Sequence, residues 1–224
     1  MAITFLKAVN RVLVKLRESQ LTTLAAASAY PSLIAAFINE SKEEVETAWQ
    51  WTYLRTSIDI TTVANTSTYA ITGAGEEFII DSVWDVSRAN QLNGPSPNFY
   101  VDRALITTSL QSSSSACWVD VLGFDANGDP TIRITPTPSA NGVIIRVFGR
   151  KKQAYLETST DSSVLLVLPW KPVVYGAYVK ALSERGEDGG ILYDEASRTY
   201  ERALADSIAL DARNNHIGTD WYPE

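Results

Sequence analysis

The chain has 224 residues, of which 45% are hydrophobic and 20% charged, a balance typical of globular proteins with one large or two small domains. The formal net charge of −7 argues against a protein that grips nucleic-acid phosphates. One cysteine and one histidine exclude an intramolecular disulfide and the common zinc sites. Neither a secretory signal nor a membrane span is expected, because no apolar run is long enough.

The first predicted element is an amphipathic helix over residues 4–18, with Thr4 as its N-cap. Apolar residues recur at helical spacing on one face. They are Phe5, Val9, Val12, Leu13 and Leu16. Basic residues lie off this stripe or at its border. They are Lys7, Arg11, Lys15 and Arg17.

A second helix is predicted from Ser32, its N-cap after Pro31, to about Leu54. Trp49 belongs to its apolar stripe and is expected in the core. At about 100° per residue, Trp51 lies about 200° further around and is expected to face outward. There it would fill a junction with the next domain or contact an adjacent subunit.

Beyond Arg55 the segments become short, rich in Thr, Val, Ile and Tyr, and separated by Gly, Asn and Pro, which predicts antiparallel strands. The predicted strands are 56–63, 67–72, 77–87, 104–110, 116–124, 131–135 and 142–150, with one more possible near 163–167. Asn127-Gly128 predicts a hairpin turn, and residues 88–102 are expected to form a long loop.

Helical spacing returns at Pro169 or Pro172 and stops at Gly186. A fourth helix is predicted over 191–213, followed by an aperiodic tail, 214–224. The most economical packing is an α+β fold, a helical bundle of N- and C-terminal helices with an inserted antiparallel β-sandwich or barrel-like unit. Its domains would be residues 1–55 with 169–213 for the bundle and 56–168 for the β-rich insertion.

No group of residues predicts catalysis, a cofactor or a metal. The only histidine, His216, lies in the polar tail, and Cys117 precedes Trp118 in a predicted strand. Asp125, Asn127 and Asp129 match the start of a calcium loop, but the required glycine and twelfth-position carboxylate are missing, so a turn is the better interpretation. No catalytic, cofactor-binding or metal residue is therefore assigned.

Three helical blocks frame the β-rich region in a recognisable order. They read AVNRVLVKLRES, then LIAAFINESKEEVETAWQWTYLRTSIDIT, then PVVYGAYVKALSERGEDGG with EASRTYERALADSIALDA. Together they resemble the head-to-tail adaptor proteins of short-tailed phages, the connector family related to tail tubular protein A. The resemblance covers roughly 100 residues in this order.

The resemblance implies a non-enzymatic adaptor in the neck of the virion, assembled in the host cytoplasm as a ring of about twelve copies. Its partners would be the portal protein, the tail nozzle protein and neighbouring adaptor copies. DNA would pass through the ring during packaging and ejection without specific binding, and no membrane is involved. Some relatives have a second, carbohydrate-directed activity, for which this sequence offers no residues.

Two sets of residues are assigned to contacts. Aromatic anchors in an aperiodic tail suit docking to a partner. The portal-docking set is Asn214, Asn215, His216, Trp221 and Tyr222. The set for the domain junction or subunit interface is Trp51, Arg55, Arg185 and Glu187.

Two other functions stay open from the sequence. One is a β-sandwich that binds carbohydrate or a receptor, which exposure of Trp84, Tyr100 or Trp118 would favour and their burial between sheets would oppose. The other is a hydrolase, which a position of His216 far from any cleft would weaken.

Overall fold

The computed structural model describes residues 2–25, 28–92, 118–187 and 189–214, which form four α-helices and two antiparallel sheets. The helices come from both ends of the chain and the strands from its middle, which confirms the predicted α+β fold class.

The chain divides into two compact units. The helical unit contains Met1–Leu54 and Gln153–Glu224, and the β-unit is Arg55–Lys152. Residues 153–168, which the sequence assigned to the β-rich insertion, group with the helices. We call them the connecting segment.

Helix α1, Phe5–Lys15, begins where it was expected. The Thr4 side chain caps it by accepting a hydrogen bond from the Lys7 N–H. The predicted apolar stripe is buried throughout. The helix ends in a Schellman motif, in which Arg17 takes a positive φ of 60° and the Glu18 N–H donates to the Leu13 carbonyl.

Helix α2, Ala29–Ala48, begins and ends earlier than predicted. Its N-cap is Ser28, not Ser32, and Pro31 lies in its first turn, where a residue without an N–H is tolerated. At Trp49 the backbone is extended, with φ −153° and ψ 160°, and a short 3-10 helix, Thr52–Leu54, follows. The prediction of one helix through Leu54 is therefore wrong.

As a result, the burial of Trp49 and Trp51 is the reverse of what was predicted. Trp51 is fully buried in the core of the helical unit, and its indole N–H donates to the Val45 carbonyl at 2.6 Å. Trp49 is only half-buried. The outward position predicted for Trp51 is wrong because helical spacing does not apply beyond Ala48.

Helix α3, Trp170–Glu184, follows Pro169, and α4, Ile191–Asn214, closes the described chain. Gly186 ends α3 in a Schellman motif, with φ +74° and the Glu187 N–H donating to the Leu182 carbonyl. Both helices agree with their predicted extents.

Side chains of α2 bind the connecting segment where backbone partners are absent. The Asn39 amide donates to the Leu156 carbonyl and accepts from the Leu156 N–H, both at 3.0 Å. One turn further along, Lys42 donates to the Gln153 carbonyl and Glu46 accepts from the Gln153 N–H at 3.0 Å. The connecting segment is thus held against α2 by a row of polar side chains that are themselves buried.

The possible strand near 163–167 forms a single bridge, between Thr4 and Leu165. Around it the Phe5 N–H donates to the Val164 carbonyl and the Leu166 N–H to the Ile3 carbonyl. This short pairing joins the connecting segment to the residues that lead into α1.

The opposite edge of the same stretch meets one side chain. The Gln153 amide donates from Nε2 to the Leu165 carbonyl at 2.8 Å, and its Oε1 accepts from the Val167 N–H at 3.2 Å. Val164, Leu165 and Val167 keep 36%, 53% and 43% of their surface exposed.

The β-unit is a sandwich of two antiparallel sheets. The first has the order β1 (Arg55–Thr61), β7 (Ile144–Arg150), β3 (Ile79–Asp85), β4 (Asn90–Leu92). The second has the order β2 (Thr68–Ala70), β6 (Pro130–Thr135), β5 (Trp118–Phe124). Alternate residues of both sheets, among them Val83, Val147, Val119 and Ile132, fill one shared core.

Two strand predictions differ from the structure or fall outside it. β4 lies within the expected loop 88–102, since a strand of three residues carries too little pattern to be detected. The predicted strand 104–110 lies outside the described residues.

Candidate functional site

The end of α4 is fixed to the helical unit by one buried carboxylate. Asp211, which is fully buried, accepts from the Trp49 indole N–H at 3.1 Å and from the Thr52 N–H at 3.1 Å. The Thr52 hydroxyl also donates to it. A buried carboxylate is stable when several donors share its charge. The last turn of α4 is therefore held in place where the tail begins.

The portal-docking set predicted from the sequence begins at this end. Asn214 is the last residue of α4. Asn215, His216, Trp221 and Tyr222 lie outside the described residues.

Arg185 ties three helix ends together. Its Nε donates to the Tyr30 hydroxyl at 2.7 Å, and its Nη2 donates to the Glu18 carboxylate at 2.7 Å. Its Nη1 reaches the Leu16 carbonyl at 3.4 Å. These partners lie at the end of α1 and in the first turn of α2, while Arg185 itself caps α3. The fork of guanidinium donors suits this use, since a lysine could not serve three directions in one plane.

The other members of the predicted interface set lie in different surroundings. Arg55 opens β1 and is exposed, and Trp51 is in the helical core. Glu187 is exposed just after α3, and its charge adds to the effect of burial in raising the pKa of Tyr178.

A groove that the sequence did not assign runs between α1 and α3. It has a volume of about 530 Å³ and is lined by cations of α1 and aromatic rings of α3. The Arg11 guanidinium lies 3.6 Å from the centre of the Trp170 ring, and Lys15 lies 4.4 Å from that of Tyr175. Lys7 also lines it. We call this the α1–α3 groove.

The signal for this groove was present in the sequence but incomplete. Lys7, Arg11 and Lys15 recur every four residues, which places them on one face of a helix. Their aromatic partners belong to α3, far along the chain, so only the packing of the two helices reveals the surface.

The turn with calcium-loop spacing is held by hydrogen bonds from its own backbone to Asp125. Oδ1 of Asp125 accepts from the Asn127 and Asp129 N–H groups at 2.8 and 2.9 Å, and Gly128 has a φ of +80°. This is the β5–β6 hairpin turn that Asn127-Gly128 predicted.

The carboxylate of Asp129 binds a neighbouring loop. It accepts from the Gly75 N–H at 2.8 Å and the Gly73 N–H at 2.9 Å. These two bonds, together with the charge of Lys151, hold the pKa of Asp129 below its usual value. Both carboxylate oxygens of Asp129 therefore accept hydrogen bonds within the β-unit.

Within the described ranges, no group of three or more His, Cys, Asp or Glu side chains could hold a metal ion. His216 and Cys117 lie outside these ranges.

The residues that would indicate a binding module give a divided result. Trp84 and Trp118 are half-buried, and Tyr100 lies outside the described residues. Exposure would favour a binding module and burial between the sheets would oppose it, so half-burial does neither.

Of the helices in the described ranges, none has the length and apolar character needed to cross a membrane.

Comparison with known proteins gives one result that spans both units. No curated protein matches the chain. The profile of the SU10 adaptor protein family matches residues 3–220, a range that includes the four helices and two sheets of the described residues. Since this covers nearly the whole chain, the chain belongs to the SU10 adaptor protein family, a family of structural adaptors of phages.

Proposed function

We propose that this protein is the head-to-tail adaptor of a short-tailed phage. In this role it forms a ring of about twelve copies between the portal and the tail nozzle, with a central channel through which DNA passes. The family match over residues 3–220 is the observation that carries this proposal.

The anchored end of α4 supports a docking role for the tail. Asp211 fixes the last helical turn, so a tail of residues 214–224 would extend from a rigid base towards the portal. A segment that gains its order on a partner needs such a base, because only the segment itself then loses conformational entropy on binding.

The charge of the chain supports passage of DNA without capture. A net charge of −7 repels phosphates, so DNA would move through the ring without the strong electrostatic binding that basic proteins show. In this role the protein acts by contact with the portal, the nozzle and its own copies.

The test is assembly with the portal protein of the same phage. We expect native mass spectrometry of the mixture to show a complex with many adaptor copies, and class averages from electron cryo-microscopy to show a ring beneath the portal. Absence of any multi-copy complex with the portal would refute the proposal. A monomer in isolation would not, since assembly on the portal is what is proposed.

A separate variant tests the role of the tail. Deletion of residues 214–224 should abolish docking to the portal and leave the helical signal unchanged, because Asp211 and its partners remain. The control replaces the same residues by a Gly/Ser sequence of equal length, which should fail in the same way. Full docking by the truncated chain would contradict the role of the tail.

A further inference from the structure

The cations of the α1–α3 groove differ from those basic side chains of the described residues that form ion pairs with carboxylates. Arg88, Arg133, Arg146, Arg150, Lys152, Lys180 and Arg185 each have a carboxylate within 4 Å. For Lys7, Arg11 and Lys15, none of the described carboxylates lies within that distance. Their charge is therefore available to a group from outside the described chain.

The aromatic rings prepare these cations for a second contact. Arg11 is stacked on Trp170, which leaves the N–H groups at the edge of its guanidinium plane free to point outward. Lys15 is held between Tyr175 at 4.4 Å and Tyr178 at 5.4 Å. Side chains held in place lose less conformational entropy when they pair with carboxylates.

The same helical unit presents an acidic surface. Glu40, Glu43 and Glu44 are exposed on α2, one turn apart. Lys180 of α3 pairs with Glu40 at 3.2 Å and with Glu44 at 2.8 Å. Although desolvation lowers the pKa of Lys180, its bonds to Glu44 and Glu40 hold it above the usual value, so the lysine stays charged. Three carboxylates against one ammonium leave this surface, which we call the α2 acidic face, net negative.

The groove and the α2 acidic face lie on different sides of α3. Lys180 follows Tyr175 by five positions, so it lies about 140° from Tyr175 around the helix axis. It follows Val174 by six positions, so it lies about 120° from Val174 in the opposite direction. Val174 and Tyr175 line the groove, whereas Lys180 contacts the acidic face. Complementary surfaces on different sides of one body allow head-to-tail contact between identical copies.

We propose that the α1–α3 groove of one copy receives the α2 acidic face of a second copy. Lys7, Arg11 and Lys15 would pair with Glu40, Glu43 and Glu44 of the neighbour, and the contact would repeat around a closed ring. This inference rests on the proposed ring of adaptor copies and names the surface that forms it.

The acidic face accounts for the groove better than DNA does. A groove for DNA would lie in a region of positive potential, but this chain has a net charge of −7 and carries its own complement to the groove. Pairing between copies uses both surfaces at once, which binding of DNA would not.

The test reverses the charge of each surface in a separate variant and then mixes the two variants. One variant carries Lys7→Glu, Arg11→Glu and Lys15→Glu, and the other carries Glu40→Lys, Glu43→Lys and Glu44→Lys. Each variant alone should form rings on the portal at least about tenfold less well than the wild type, because like charges then face each other. An equal mixture should recover assembly, since each variant can accept the other in alternation.

The contact is also checked directly on the full chain assembled on the portal. A carbodiimide joins lysine amines to carboxylates in contact, and a mixture of isotopically heavy and light copies separates links between copies from links within one. We expect heavy-to-light links from Lys7 or Lys15 to Glu40, Glu43 or Glu44. The absence of such links in these assemblies, or links only to other residues, would overturn the inference.

Controls separate the possible failures. Arg198→Glu with Glu201→Lys reverses exposed charges on α4 and should leave assembly unchanged. If a triple variant does not fold, the single variants Lys7→Glu and Glu43→Lys replace it. A wild type that assembles on the portal, with variants that assemble equally well or are not rescued by mixing, would overturn the inference and leave the proposed function standing. Loss of binding to a short DNA duplex in the first variant, without rescue by mixing, would also overturn it.

Discussion

Asp129 shows how one side chain of the β-unit stabilises two loops. Only 6% of its surface is exposed, and it joins the β5–β6 turn to Gly73 and Gly75 through two backbone N–H groups. Backbone donors that face a carboxylate favour its ionised form. The stability of this corner should therefore depend on pH.

The direction of that dependence follows from the lowered pKa. The contribution of Asp129 is present in full above the pKa of an unfolded aspartate, about 3.9, and is lost as the pH falls through the folded-state value. We expect Asp129→Asn to lower the Tm at pH 7, and the difference in Tm from the wild type to shrink below about pH 4.

Thermal unfolding followed by circular dichroism between pH 3 and about pH 7 measures this effect. Glu76→Gln, an exposed carboxylate in the same loop, serves as the control and should change Tm little. A difference between Asp129→Asn and the wild type that stays constant down to about pH 3 would show that the charge is not what stabilises the corner.

At the level of elements, the position at which α2 ends determines which of the two tryptophans that follow it is buried. Trp51 fills the core of the helical unit, whereas Trp49 is half-buried and donates to Asp211. Removing a fully buried indole leaves a cavity that the surrounding side chains fill only in part.

We expect Trp51→Ala to lower the free energy of unfolding of the helical unit by about 3–5 kcal/mol. Trp49→Ala should cost less, since that side chain is only half-buried. Urea denaturation followed at 222 nm compares the two variants. Equal losses, or a greater loss for Trp49→Ala, would contradict the burial of Trp51.

The elements also show where reasoning from sequence succeeds. α1, α3 and α4 could be predicted because apolar residues recur at helical spacing between clear signals such as Thr4 and Gly186. The end of α2 could not be predicted, because neither Gly nor Pro marks it and the burial of Trp51 beyond it depends on tertiary packing.

The surfaces were harder to predict than the elements, for a physical reason. The contact between Asp211 and Thr52 joins residues 159 positions apart. The α1–α3 groove likewise pairs Arg11 with Trp170. A sequence pattern reports the face of a helix on which a residue lies, whereas tertiary packing determines what that face meets.

At the scale of the whole molecule, each unit has a core of its own. The buried apolar residues of the helical unit all belong to residues 1–54 and 153–214, and those of the β-unit all belong to 55–152. Arg55 and Arg150 are paired across β1 and β7, so the chain enters and leaves the β-unit side by side. We propose that the β-unit is a domain inserted into a helical domain.

This organisation predicts that the helical unit folds alone. Replacement of residues 55–152 by a flexible linker of about eight residues should retain a helical spectrum and a cooperative urea transition, because no member of its core is removed. The control adds Trp51→Ala to the shortened chain, which should weaken that transition. A shortened chain without cooperative unfolding would contradict the proposal.

The side chain of Gln153 has a consequence for a protein made in many copies. The stretch 163–167 contains the β-bridge at Leu165 and exposes apolar side chains, and exposed apolar edges are where foreign strands add and aggregates begin. Gln153 already uses the Leu165 carbonyl and the Val167 N–H that an incoming strand would need. In the proposed ring assembly, we expect this glutamine to hinder strand addition to free copies before they assemble.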